Sequence, residues 1–133
     1  MEAAISVMLI VPDARRANSW YQHALGAEEA WDLGSVIGLR IAGAPFFIHE
    51  VNADNFDERD PGVAGFTSTR IELFVDDPEK VLARATEAGA RLIEAVVEHD
   101  VPWGKHRQGG FRDPFGHRWS VGDNSPITFR VPR

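Results

Sequence analysis

Two stretches of this chain change the spacing of their apolar residues in the same way. In "AISVMLIVP" (residues 4–12) apolar residues run almost unbroken up to a Pro-Asp boundary, as in a short strand. From Asp13 the period lengthens. Ala14, Ala17, Trp20, Tyr21, Ala24 and Leu25 recur three and four residues apart, which predicts a helix over 13–25 with Asp13 as N-cap and Gly26 as its stop. "EEAWDL", "VIGLRIA" and "PFFIHEV" then read as strands separated by Gly34-Ser35 and Gly43-Ala44. After a polar segment, 52–68, the pattern restarts. "TRIELFVDD" is a strand, and 78–88 is a helix with Pro78 at its first position, Val81, Leu82, Ala85 and Ala88 as its stripe and Gly89 as its stop. "RLIEAVVEHDV", "HRQGGFRD" and "HRWSVGD" close the series as strands.

Setting Ser6 on Arg70, an offset of 64, also sets Val7 on Ile71, Val11 on Val75 and Asp13 on Asp77. The order β-α-β-β-β therefore occurs twice, which predicts an α+β protein made of two βαβββ modules. Two copies are too few for a solenoid, so a pseudo-symmetric pair of small open sheets is expected. Each sheet lays its helix on one face and leaves the other face to curve around a cavity. At 133 residues the chain is expected to be one domain, with a first module over about 4–51, a loop over 52–68 and a second module over about 69–124.

Composition narrows the chemistry. There is no cysteine, which removes disulfides, thiolate metal sites and Cys nucleophiles. The net charge of −6 argues against nucleic acid, since phosphate binding needs a basic patch, and modestly favours cationic small molecules. The longest apolar run, "VMLIV", is too short to span a bilayer and no basic leader precedes it, so the expectation is a cytoplasmic protein without a membrane partner. The chain has no G-x-S-x-G, no H-E-x-x-H and no glycine-rich phosphate loop.

Strand alternation sorts the remaining candidates. Ile5, Val7, Leu9 and Val11 share the face expected against the helix, leaving Ser6, Met8 and Ile10 on the other. Ile71, Leu73 and Val75 repeat this, with Arg70, Glu72 and Phe74 toward the cavity. In "PFFIHE", Phe47 and His49 alternate with Phe46, Ile48 and Glu50, so His49 and Glu50 cannot jointly serve one substrate atom. In "HRWSV", Trp119 and Val121 belong to the core, and Arg118 and Ser120 point at the cavity. His117 is expected to be structural, and Asp113 and Gly116 are turn residues. Arg70 and Glu72 either pair with each other or orient a polar ligand. Trp31 and Trp103 either edge a ligand pocket or are buried at an interface.

The duplicated pattern, the "VPD…SWYQHALG" opening, "WGKHRQGGFRDP" and "DPFGHRWSV" resemble the vicinal oxygen chelate superfamily, in particular its small glyoxalase/bleomycin resistance proteins and their demethylubiquinone methyltransferase-like branch. The resemblance covers residues 5–123 and implies the paired-module fold and, in many members, a homodimer. It also implies metal positions on four strands, which here are Ser6, Arg70, Ser120 and either His49 or, in the other register, Phe47. Serine is a poor ligand and Arg70 is a fixed cation, so no metal and no cofactor are expected. The resemblance then implies a metal-free protein that binds or sequesters an aromatic or cationic small molecule through Met8, Phe47, His49, Arg70, Glu72, Phe74, Trp103, Arg118 and Ser120. The alternative is a lyase, isomerase or dioxygenase of the same superfamily. A purely regulatory or structural homologue is the third reading.

Overall fold

The apolar spacing is realised as two copies of one topology. In the computed structural model, which describes residues 2–55 and 57–129, the first copy is β1 (Met8–Val11), α1 (Ala14–Leu25), β2 (Glu28–Asp32), β3 (Val36–Ile41) and β4 (Ala44–Glu50). A short helix, α2 (Pro61–Ala64), follows. The second copy is β5 (Arg70–Phe74), α3 (Pro78–Glu87), β6 (Arg91–Val101), β7 (Gly104–Arg112) and β8 (Arg118–Gly122), and the short helix α4 (Ser125–Thr128) comes after it. The sheets have the orders β1-β4-β3-β2 and β5-β8-β7-β6, with the first pair of each parallel and the others antiparallel. Each is an open mixed sheet. The chain divides into two compact units, residues 1–67 and 68–133.

Both long helices start where the sequence marks them. The Asp13 carboxylate accepts the Arg16 N–H at 3.0 Å, and Glu50 reaches from β4 to accept the Ala14 N–H at 3.1 Å. Glu50 is thus a capping group on the helix side of its sheet and not a cavity residue. Gly26, at φ 67°, closes α1 in the left-handed conformation that glycine adopts without a Cβ penalty. Asp77 caps α3 through the Lys80 N–H at 3.2 Å.

Three expectations change. The first strand begins at Met8, and Ile5 is 99 % exposed. Val7 O still accepts from Phe47 N, but one ladder step back β4 offers Pro45, which has no N–H to give. Second, the segment 52–68 contains α2, nucleated by Asp60 accepting from Val63 N–H with Pro61 at the first helical position. Third, Ile71, Leu73 and Val75, expected in the core, are only half-buried. Helix α3 lies over β6, β7 and β8, away from the edge strand that carries them.

In the first unit the helix face buries Leu9, Val11, Ile37, Leu39, Phe46 and Ile48 against Ala14, Ala17, Tyr21 and Ala24. In the second, Phe111, Trp119 and Val121 lie under Leu82 and Ala85. Each buried Val, Leu, Ile or Phe among them contributes roughly 1.5–3 kcal/mol on leaving water, and each alanine methyl about 0.8 kcal/mol. Trp119 is 1 % exposed and stacks on Phe111, which fixes it as core. Asp113 holds the β7–β8 turn, accepting N–H groups of Phe115 and His117 and the Trp119 indole N–H, all at 2.9 Å. The "DPFGHRW" motif is scaffold chemistry, and His117, buried beside that turn, is part of it.

Candidate ligand-binding site

Removing the helix-covered faces leaves one open face per sheet. On the first, cross-strand partners place Met8, Phe47, Gly38 and Trp31 in one row across all four strands. Directly paired residues share a face. Gly38 is what makes the row flat. A Cβ there would come within 2.5 Å of the Trp31 indole, so only glycine lets the ring lie across β3. Trp31 then stacks on Phe47 with ring centres 5.7 Å apart. Met8 and Trp31 stay 47 % and 40 % exposed, and the result is an aromatic platform open to solvent. The next row is Ile10, His49 and Val36. His49 Nδ1 donates to the Glu50 carbonyl at 2.6 Å, which leaves Nε2 as the ring's acceptor, without a partner among the described residues.

The second sheet carries different groups at the same places. Arg70 and Glu72 form an ion pair at 2.7 Å. The Arg70–Arg118, Glu72–Ser120 and Phe74–Gly122 pairings put Phe74, Arg118 and Ser120 on that same face. Ser120 is buried and accepts from the Gln108 amide at 3.0 Å. Gln108 Oε1 lies 3.0 Å from His106 Nε2, and His106 Nδ1 lies 2.7 Å from Asp123 Oδ1 and 3.2 Å from the Ser125 hydroxyl. His106, at 7 % exposure, thus sits in a chain from Asp123 to Ser120, over Gly122, where a Cβ would meet the ring at 2.8 Å. Burial raises the Asp123 carboxyl. Hydrogen bonds from the Arg107 N–H, the Ser125 hydroxyl, His106 and the Ser125 N–H outweigh that and hold it below the usual carboxylate range.

The expected residues thus divide between two faces. Met8, Phe47 and His49 belong to the first sheet; Arg70, Glu72, Phe74, Arg118 and Ser120 belong to the second. Trp103 joins neither set. It occupies the β6–β7 turn, stacks on Phe129 at 4.5 Å and donates to Ser125 Oγ at 2.9 Å, so its indole is committed to packing. Sequence reasoning missed His106, Gln108 and Asp123. The alternation of "KHRQGG" did place His106 and Gln108 on one face, but their connection to Ser120 and Asp123 depends on the register of β7 against β8.

The donors on these faces do not fit a divalent metal. Ser6 donates to the Pro45 carbonyl at 2.8 Å, Ser120 is taken by Gln108, and Arg70 stands where a cation would have to be. Among the described residues no three His, Asp or Glu side chains come together as a metal site requires. Nor does any helix among them have the length and apolarity to cross a membrane.

Two sheets of order 1-4-3-2, each parallel at one pair and backed by one helix, define a paired βαβββ protein. The Glyoxalase-like domain profile matches residues 6–122, and the chain belongs to that family. It is 35 % identical to the uncharacterized protein Mb0911c of Mycobacterium bovis, with 92 % of this chain and 84 % of that protein aligned. It is similar at the same identity to the uncharacterized protein Rv0887c of Mycobacterium tuberculosis, over 92 % of this chain and 75 % of that one. Among solved structures it superposes on TioX from Micromonospora sp. ML1 with a TM-score of 0.67 at 24 % identity, covering 92 % of this chain and 98 % of TioX. It also superposes on the fosfomycin resistance protein FosX from Mesorhizobium loti (TM-score 0.63, 16 % identity, 92 % of each chain). A third match is a lactoylglutathione lyase from Agrobacterium tumefaciens (TM-score 0.65, 18 % identity, 97 % and 98 %). At such identities these structures share the fold.

Proposed function

We propose that this glyoxalase-like chain is a small-molecule-binding protein that takes a flat organic ligand without a resident metal. The observation that carries this reading is the Trp31–Phe47 platform with Met8 beside it: large apolar surface laid flat by Gly38, left in water, on a face no helix covers. His49 Nε2 supplies one acceptor in the adjoining row. A metal-assisted lyase, isomerase or dioxygenase is less well supported, because the residues at the superfamily metal positions are poor donors. A metal-free acid–base reaction through His106 is disfavoured too, since both its ring nitrogens face partners within the protein. The edge strands left by two open sheets support a homodimer in addition. Light scattering on eluted protein should then give twice the monomer mass, and a monomer would remove that part of the reading.

The test is titration with a neutral planar probe, 2-naphthol, followed by tryptophan fluorescence. Trp31, the exposed indole of the platform, should be quenched saturably. Stacking is worth about 0.5–1.5 kcal/mol beyond burial, so Phe47→Ala should weaken binding roughly 2- to 12-fold with little change in melting temperature. Absence of saturable quenching, or equal affinity in Phe47→Ala, would rule the platform out as a ligand surface.

A further inference from the structure

The pairing register of the second sheet brings together four arginines that lie far apart in sequence. Arg70 on β5 is the direct partner of Arg118 on β8, Arg118 of Arg112 on β7, and Arg112 of Arg91 on β6. Directly paired residues share a face, so one row of four cations crosses the whole sheet on the side opposite Phe111 and Trp119. Strands lie about 4.8 Å apart, which keeps successive members of the row within a Debye length of about 8 Å. Only Arg70 has a carboxylate partner among the described residues, Glu72; Arg112 spends one N–H on the Gly116 carbonyl at 2.8 Å. The adjoining row of the same face holds two carboxylates, Glu72 in its ion pair with Arg70 and Glu94 opposite Gly110, so four arginines against two glutamates leave the face net positive. Arg118, in the middle, folds over Gly110, and its Nε is buried with no hydrogen-bond partner among the described residues.

Like charges directly opposite one another destabilise a sheet, and a buried guanidinium N–H without an acceptor adds to that cost. On a chain of net charge −6 this row is a local reversal of sign. Guanidinium groups present planar forks of donors that match the two oxygens of a carboxylate or a phosphate. We propose that the row Arg70, Arg118, Arg112 and Arg91 is a binding site for an oxyanion group, with a doubly charged phosphate preferred over a carboxylate. Arg118 is its central donor and Arg91 its outer one. The anion supplies the acceptor that Arg118 Nε lacks and offsets the repulsion along the row. The row lies wholly on the second sheet, and none of its residues belongs to the platform.

The test is calorimetric titration with inorganic phosphate and, separately, acetate, at constant ionic strength made up with sodium chloride. Phosphate should bind saturably and raise the melting temperature. Arg118→Gln should weaken it about tenfold or more, the loss expected for a charge-assisted hydrogen bond, and Arg91→Gln several-fold. Arg15→Gln, on α1 and off the row, should change nothing. Ligand-free Arg118→Gln should melt at the same temperature as the parent or higher, because repulsion is relieved. A purely structural role for Arg118 predicts the opposite. Should that variant fail to fold, Arg91→Gln at the exposed edge carries the same comparison. Tighter acetate than phosphate overturns the preference for a doubly charged phosphate. Neither anion binding above the chloride control, or unchanged affinity in both variants, overturns it. Because 2-naphthol reports the platform and phosphate reports the row, either reading can fail while the other stands.

Discussion

The two sheets share a strand order and differ in what they present to solvent. At the offset of 64, the helix-side positions of their first strands keep one chemistry: Val7 and Ile71, Leu9 and Leu73, Val11 and Val75. The open-side positions keep none: Ser6 becomes Arg70, Met8 becomes Glu72, Ile10 becomes Phe74. The helix side loses most of its water and is mainly apolar, although Ile71, Leu73 and Val75 stay half-buried because α3 lies off their strand. The open side is under no demand to be apolar, and there one copy has an aromatic platform and the other an arginine row above a polar chain. Each open face also uses a glycine beneath a ring, Gly38 under Trp31 and Gly122 under His106. The same device supports an exposed surface in one sheet and a buried hydrogen-bonded group in the other.

The largest effect expected from this contrast concerns how each sheet closes its last hairpin. The first turns between β3 and β4 on Ala42 and Gly43, with Ala42 at φ 54°. The second depends on Asp113, whose carboxylate satisfies two N–H groups and the Trp119 indole in a buried setting. Asp113→Ala leaves all three donors without acceptors, and unfolding in urea should show a loss of about 3–5 kcal/mol. Ala42→Gly should raise stability by no more than about 1 kcal/mol, since it only relieves a left-handed alanine. Comparable small effects in both variants would mean that Asp113 is not the clamp its geometry describes.

Next in size is the pair of glycines. Gly122→Ala drives a methyl to 2.8 Å from a His106 ring fixed by Asp123 and Gln108, and to 3.1 Å from the Arg107 carbonyl. Neither neighbour can retreat cheaply, and a cost of about 1–3 kcal/mol results. In Gly38→Ala the obstacle is the exposed Trp31 side chain, which can swing away. That variant should lose less than about 1 kcal/mol, with a shifted tryptophan emission and weakened 2-naphthol binding. Reversal of the order would show the platform to be the rigid face and the histidine chain the pliable one.

This contrast also explains which features were legible in the sequence. Helix limits followed from Asp13, Gly26, Pro78 and Gly89, because capping is a local effect that needs no knowledge of the fold. Trp119 as core followed from alternation, and the paired modules followed from the repeat. Asp60-Pro61 was an equally local signal for α2 that the polar look of 52–68 concealed. The arginine row was not legible. Its members are residues 70, 91, 112 and 118, and they meet only through three strand registers, one of them interrupted by bulges between Leu92 and Val97. The bias toward a cationic ligand drawn from net charge misses it for the same reason, since a sum over the chain does not record which face each charge occupies. Trp103 was misplaced because its partner Phe129 lies beyond the repeat.

The smallest effect concerns acid. Asp123 is held below the usual carboxylate range, opposed by burial and favoured by the Arg107 N–H, Ser125 and His106. A group whose folded pKa is depressed adds stability that is fully present above its unfolded value, about 3.9 for aspartate, and is lost as pH falls toward the folded value. Among the described residues the first sheet holds no buried histidine–carboxylate pair of this kind: its open-face histidine donates to a backbone carbonyl, and Glu50 caps α1 on the other side. Asp123→Asn should cost about 1–2 kcal/mol at neutral pH, seen as a drop of several degrees in melting temperature. The gap between parent and variant should narrow below about pH 4, where the unfolded parent chain takes up a proton at Asp123 that the folded carboxylate still refuses, while the amide has no such linkage. Melting curves from pH 7 to pH 3 decide this. A gap that stays constant across that range would mean that hydrogen-bond geometry alone, and not the charge of Asp123, holds His106 over Gly122.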